Sequence, residues 1–90
     1  MEISRRHYLF DGRVQGVGFR FTAKMIADGL GLTGWIMNCA GSQVEMEIQG
    51  NQESIDKMIA QILNSKSLRI TDMQMQIIDS RKEDKFCIRY

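Results

Sequence analysis

Gly12-Arg13-Val14-Gln15-Gly16-Val17-Gly18-Phe19-Arg20 ends a strand-like run, turns through Gly16 and Gly18, and delivers one arginine where a helix begins. Glycine offers no side chain to block a ligand, so successive backbone N–H groups can converge on an anion, and a helix N-terminus adds partial positive charge. Arg20 supplies a planar, permanently charged fork that matches tetrahedral oxyanions in bidentate fashion. The segment therefore reads as an anion cradle, with a phosphoryl group as its first-choice ligand. It is not a Walker loop, because Gly18 is followed by Phe19 and Arg20 rather than Lys and a hydroxyl residue. It is not a dinucleotide fingerprint either, since Phe21 stands where the third glycine belongs. On spacing alone it is equally a tight strand-to-helix turn carrying an exposed arginine.

Working outward, residues 5–14 alternate, with Tyr8, Phe10 and Val14 on one face and His7, Asp11 and Arg13 on the other, as in a half-buried strand. After the cradle, Phe21, Met25, Ile26 and Leu30 recur at helical spacing, and Gly29 and Gly31 supply a stop. Leu32 to Asn38 and Gln43 to Gln49 form a hairpin about Cys39-Ala40-Gly41-Ser42, the second strand alternating Val44, Met46 and Ile48 with Glu45, Glu47 and Gln49. Asn51 caps an amphipathic helix carrying Ile55, Met58, Ile59, Ile62 and Leu63. Ile70, Met73, Met75 and Ile77 mark a fourth strand with an irregularity near Asp72, and Phe86, Ile88 and Tyr90 a fifth. The mixed-sign run Arg81 to Lys85 between them reads as a solvated turn.

This order, βαββαβ with a short additional C-terminal strand, predicts an α+β fold: a ferredoxin-like two-layer sandwich of two helices on an antiparallel sheet. Ninety residues suit one domain over 1–90, and a chain of this length buries roughly 60 to 65% of its unfolded surface, enough for one core. Met25, Met46, Met58 and Met73 are expected to fill that core.

Two stretches resemble the signatures of the acylphosphatase family. The first is residues 12–20. The second is Gly31-Leu32-Thr33-Gly34-Trp35-Ile36-Met37-Asn38, followed after a short turn by Val44-Glu45. The resemblance extends over almost the whole chain and implies an enzyme that hydrolyses the carboxyl–phosphate bond of acyl phosphates. It places two catalytic residues, Arg20 on the phosphate and Asn38 orienting the attacking water. Backbone N–H groups of Gln15, Gly16, Val17, Gly18 and Phe19 complete the phosphate-binding loop. Where the family often carries Asp-Gly in its hairpin turn this chain has Gly41-Ser42, which suits a type II′ turn, and Met37 stands where a basic residue is frequent.

The chemistry fits the residues present. No His, Asp or Cys lies within Gln15 to Arg20 to accept a phosphoryl group covalently, so direct attack by water is the economical route. The leaving carboxylate has an intrinsic pKa of about 4 and needs little general-acid help, so the remaining tasks are positional and electrostatic. An amide such as Asn38 can accept from water and donate elsewhere without burying a charge.

The rest of the composition excludes alternatives. A net charge of +1 with intermixed signs offers no field for nucleic acid or membrane, and no RNP-type octamer is present. The apolar runs fall short of a bilayer span and Met1 to Arg6 leads into no signal-peptide core, so a cytoplasmic protein is expected. Cys39, Cys87 and the single His7 form no metal-ligand pattern; no metal and no cofactor are expected, and a monomer acting on small-molecule acyl phosphates is. Cys39 reads as a small residue tolerated at a strand end, and His7 as an exposed one. The competing reading is a non-catalytic phosphate- or carbamoyl-phosphate-binding module of the same fold, and an RNA-binding domain stands behind that.

Overall fold

The structure is a computed structural model that describes residues 2–16 and 18–90. Its elements run β1 (Ile3–Arg13), α1 (Phe19–Leu30), β2 (Thr33–Asn38), β3 (Val44–Asn51), α2 (Gln52–Leu63), β4 (Arg69–Ile78) and β5 (Phe86–Arg89). The five strands form one sheet in the order β4-β1-β3-β2-β5. The first four are antiparallel, whereas β5 pairs parallel to β2, which makes the sheet mixed rather than antiparallel throughout. The two helices cover one face, as a ferredoxin-like sandwich requires.

Alternation decides that face. Tyr8 and Phe10 of β1, Ile36 of β2 and Val44, Met46 and Ile48 of β3 point into a cluster completed by Ile55, Met58, Ile59 and Ile62 of α2 and Phe86 of β5. Asn51 caps α2 as its type dictates, the side-chain oxygen accepting from the Glu53 N–H at 2.8 Å. The expected irregularity in β4 is a bulge opposite Asp11 and Gly12, where the pairing passes from Asp72 to Ile70 and skips Thr71.

Helix α1 departs from its expected phase. It begins at Phe19, two residues earlier than the periodicity suggests, and buries Phe19, Ala23 and Ala27. Ile26 and Leu30 flank this core, but Phe21 and Met25 are 62% and 75% exposed. The contact is built from small residues because α1 must lie close to the sheet, and alanine contributes little to an apolar pattern. Met46 and Met58 do fill the core and Met73 packs against it, while Met25 does not.

The segment between β4 and β5 departs from expectation at Glu83. These strands lie at opposite edges of the sheet, so the chain must cross the face the helices leave open. There the Gln49 amide pairs with both backbone groups of Arg81, at 2.7 and 2.9 Å, and Glu83 bonds the guanidinium of Arg5 at 2.8 Å. Arg5 also reaches Glu47 at 2.8 Å and its side chain is fully buried. Glu83 is therefore a structural anchor, while Arg81, Lys82, Asp84 and Lys85 around it are exposed, as a solvated turn requires. Trp35 is buried on this same open face, beside Cys87 in register, with the Arg89 guanidinium 4.4 Å from its ring.

Candidate active site

The end of β1, the start of α1 and the end of β2 meet at one corner of the molecule. Val14, Gly16, Gly18, Phe19, Arg20, Phe21 and Asn38 line a recess of about 220 Å³ there. That is ample beside the roughly 30 Å³ one liquid water occupies. Arg20 and Asn38, eighteen positions apart in sequence, thus face one cavity, each half-buried. Asn38 stands on the helix-facing side of β2, two positions beyond the fully buried Ile36, which aims it toward α1.

Gly16 and Gly18 adopt φ of 73° and 77°, the left-handed region, and Gly18 is the residue preceding the first turn of α1. A Cβ on either would meet nothing within 4 Å, so it is the turn conformation, rather than crowding by the protein, that requires glycine. Among the described residues no side chain caps α1, its first turn carries no acidic residue, and its first backbone bond is from the Thr22 N–H to the Gly18 carbonyl at 3.0 Å. The N–H groups of Phe19, Arg20 and Phe21 are left without helical acceptors at the positive end of the dipole, beside the recess. Arg20 has no carboxylate partner among the described residues; its guanidinium lies 5.0 Å from the ring of Tyr90. Of the loop positions expected to bind phosphate, Val17 lies outside the described residues.

Gln15 does something the sequence did not announce. Its side-chain Nε2 donates to the carbonyls of Cys39 and Gln43, at 2.9 and 2.7 Å, and so ties the cradle to the hairpin that carries Asn38. That hairpin closes with the Cys39 N–H on the Gln43 carbonyl at 2.8 Å. Three residues, Ala40 to Ser42, lie between the closing pair, with Gly41 at φ 75°, where a two-residue type II′ turn was expected. Lys24 adds a further tie, from its Nζ to the Phe86 carbonyl at 2.9 Å, which holds α1 against β5.

Neighbouring groups stay out of the recess. His7 pairs with Glu45 at 2.7 Å on the open face of the sheet. The Cys39 thiol donates to the other oxygen of Glu45 at 3.6 Å, and burial and then the Glu45 charge push its pKa above the ordinary value. Both effects disfavour the thiolate, the nucleophilic form. Larger hollows exist beside Gln74 and Gln76 and beside the start of α2, but the latter is rimmed by Glu2, Glu53 and Asp56, the wrong sign for an anion. Among the described residues no group of three or more His, Cys, Asp or Glu side chains is placed to hold a metal ion.

A family model described as Acylphosphatase matches residues 6–88. The chain belongs to the acylphosphatase family. It is 36% identical over 90 residues to the acylphosphatase of Geobacillus kaustophilus, covering 98% of this chain and 96% of that one. The acylphosphatase of Clostridium perfringens is 50% identical over 60 residues, 67% of each chain. A crystal structure of acylphosphatase from Bacillus subtilis matches with a TM-score of 0.89 at 31% identity, over 99% of this chain and 100% of that one. The acylphosphatase fold and the resemblance in the two signatures thus agree.

Proposed function

We propose that the protein hydrolyses the carboxyl–phosphate bond of acyl phosphates by direct attack of water, with Arg20 holding the phosphoryl group and Asn38 orienting the water. Family membership carries the reaction. The observation that supports the residue roles is the convergence of Arg20, the uncapped first turn of α1 and Asn38 on one recess.

The phosphoryl oxygens take the Arg20 fork and the free N–H groups, which offset their charge as it redistributes in the transition state. Asn38 accepts a hydrogen bond from a water and presents its oxygen to phosphorus in line with the leaving carboxylate. The new P–O bond forms as the acyl C–O–P linkage breaks at phosphorus. The carboxylate departs with the bonding pair, and the water's proton passes to solvent or a phosphoryl oxygen. An amide is not a base, so Asn38 contributes by position.

The finer parts of this reading are that residues 1–90 act as one domain, as a monomer in the cytoplasm, on small acyl phosphates. One core cluster running from Tyr8 to Phe86 supports the first. No helix among the described residues is long and apolar enough to cross a membrane, and the net charge of +1 favours neither lipid nor nucleic acid.

The test is hydrolysis of benzoyl phosphate in EDTA. Asn38→Ala should lose on the order of a hundred- to a thousandfold in turnover while still binding phosphate, and Arg20→Ala should lose both. Saturable phosphate binding by the wild type without hydrolysis would favour the non-catalytic module. Turnover untouched by Asn38→Ala would overturn its assigned role.

A further inference from the structure

Phe21 and Met25 are large apolar side chains on a helix whose core contact does not use them. Phe21 is 62% exposed and lines the recess that holds Arg20 and Asn38; Met25, one turn on, is 75% exposed. One turn further, Met25, Ile26, Gly29 and Leu30 of α1 and Gln61 of α2 line a groove of about 340 Å³. At Gly29 a Cβ would meet nothing within 4 Å, so the floor of that groove is open. Residues 21, 25 and 29 share one side of α1 and span about 12 Å along its axis. An apolar strip therefore runs without a break in residue order from the phosphate recess to the groove between the helices.

Hydrolysis in line places the leaving group on the far side of phosphorus from the water, and so away from Asn38. Asn38 enters from β2, whereas Phe21 enters from α1 immediately after Arg20. An acyl substituent on a phosphoryl group held by Arg20 and the first-turn N–H groups is thus directed away from Asn38, and Phe21 of α1 is the exposed apolar residue of the lining in position to meet it.

On the reading that this recess hydrolyses acyl phosphates, we propose that Phe21 and Met25 form the acyl-binding surface and select substrates with apolar acyl groups, alkanoyl chains of medium length and aryl groups, over acetyl and carbamoyl phosphate. Phe21 and Met25 are exposed and form a surface, not an enclosed pocket, so selection is graded. Each methylene that covers Phe21 or Met25 gains part of a full burial. The affected quantity is kcat/KM, because contact with the strip is made in the ground state and retained in the transition state.

The experiment measures kcat/KM for acetyl, butyryl, hexanoyl and octanoyl phosphates, with benzoyl and carbamoyl phosphate for comparison. Wild type is expected to gain about twofold per added CH2, below the roughly fourfold that full burial gives. In Phe21→Ser the gain should begin to flatten at butyryl. In Met25→Ser it should persist to butyryl and flatten beyond. Both side chains are exposed, so both variants are expected to keep the wild-type melting temperature. Turnover of acetyl phosphate by wild type establishes the underlying reaction independently of chain length. If acetyl phosphate is hydrolysed and kcat/KM is flat across the series, the strip does not bind the acyl group and the proposal is overturned. A chain-length dependence that neither serine variant alters overturns it equally. So does a concentration-dependent dimer that Phe21→Ser dissociates with no change in selectivity, which would assign the surface to self-association.

Discussion

The guanidinium of Arg20 lies 5.0 Å from the centre of the Tyr90 ring. Tyr90 is itself 92% exposed, so this contact leaves Arg20 unburied on that side. A cation over an aromatic face at an exposed site is worth about 0.5–1 kcal/mol. Arg20 has no carboxylate partner among the described residues, so its N–H groups can still be directed at a phosphoryl group.

Tyr90→Ala should therefore raise KM and the inhibition constant for inorganic phosphate by roughly two- to fivefold, the equivalent of that energy, with a smaller change in kcat. Tyr90→Phe keeps the ring and should restore both constants. Equal constants in wild type and Tyr90→Ala would mean that the ring takes no part in holding Arg20.

Gln15 joins the two halves of the site. Its amide reaches 24 and 28 positions ahead to two carbonyls of the hairpin, and both bonds need an N–H donor. Gln15→Glu preserves shape but replaces that donor with an acceptor facing two carbonyl oxygens. The hairpin end should move, and Asn38 with it, relative to Arg20. A displacement near 1 Å in a positioned site costs up to about a hundredfold, so kcat is expected to fall between ten- and a hundredfold while phosphate inhibition changes little. The split matters, because loss of the fold would abolish both. Wild-type kcat in Gln15→Glu would remove this tie from the mechanism.

Arg5 makes the strongest claim on stability. Burial disfavours its charge, but the bonds and charges of Glu83 and Glu47 more than offset this and hold its pKa above the ordinary value. Removing one partner leaves a buried cation half-compensated, and such breaks cost about 3–5 kcal/mol when complete. Glu47 remains and Glu83 is 17% exposed, so Glu83→Ala should cost less, about 2 kcal/mol, measured by urea unfolding. Arg5→Met removes the buried charge and should rescue part of that loss in the double variant. Additive losses would show that the two side chains act separately.

These relationships mark how far the sequence could be read. Strand β3 and helix α2 were legible because each carries an unbroken apolar period, Val44-Met46-Ile48 and Ile55-Met58-Ile59-Ile62, and Asn51 announces its own helix. Arg20 was readable as an anion ligand from the glycine turn before it, whereas Asn38, an asparagine at a strand end, was singled out by resemblance alone; the structure places both on one recess. Helix α1 was misread in phase because Ala23 and Ala27 pack closely yet signal weakly, while Phe21 and Met25 signal strongly from an exposed face. The pairing of Arg5 with Glu83, 78 positions away, depends on a chain crossing from one sheet edge to the other. No local pattern encodes such a crossing. The Gln15 tie escaped for a related reason: a glutamine inside a glycine turn gives no sign of which carbonyls its amide will find.

Cys39 yields the pH prediction. Burial and the neighbouring Glu45 both disfavour its thiolate and raise its pKa from the ordinary 9.0. A group that binds its proton more tightly when folded contributes stability that is complete below its unfolded pKa and is lost as pH rises through the folded value. The contribution should thus hold at neutral pH and disappear above pH 9.0, with Cys39→Ser showing a shallower loss than wild type over the same alkaline range. Alkylation reports the same quantity kinetically, because the thiolate is the nucleophile. With iodoacetamide the rate at Cys39, resolved from Cys87 by peptide mapping, should climb with a midpoint above 9.0, and Glu45→Gln should lower that midpoint by removing the adjacent charge. A midpoint below 9.0 would instead show that Arg20 or the cradle N–H groups stabilise the thiolate, and would turn Cys39 from a quiet strand-end residue into a reactive one beside Asn38.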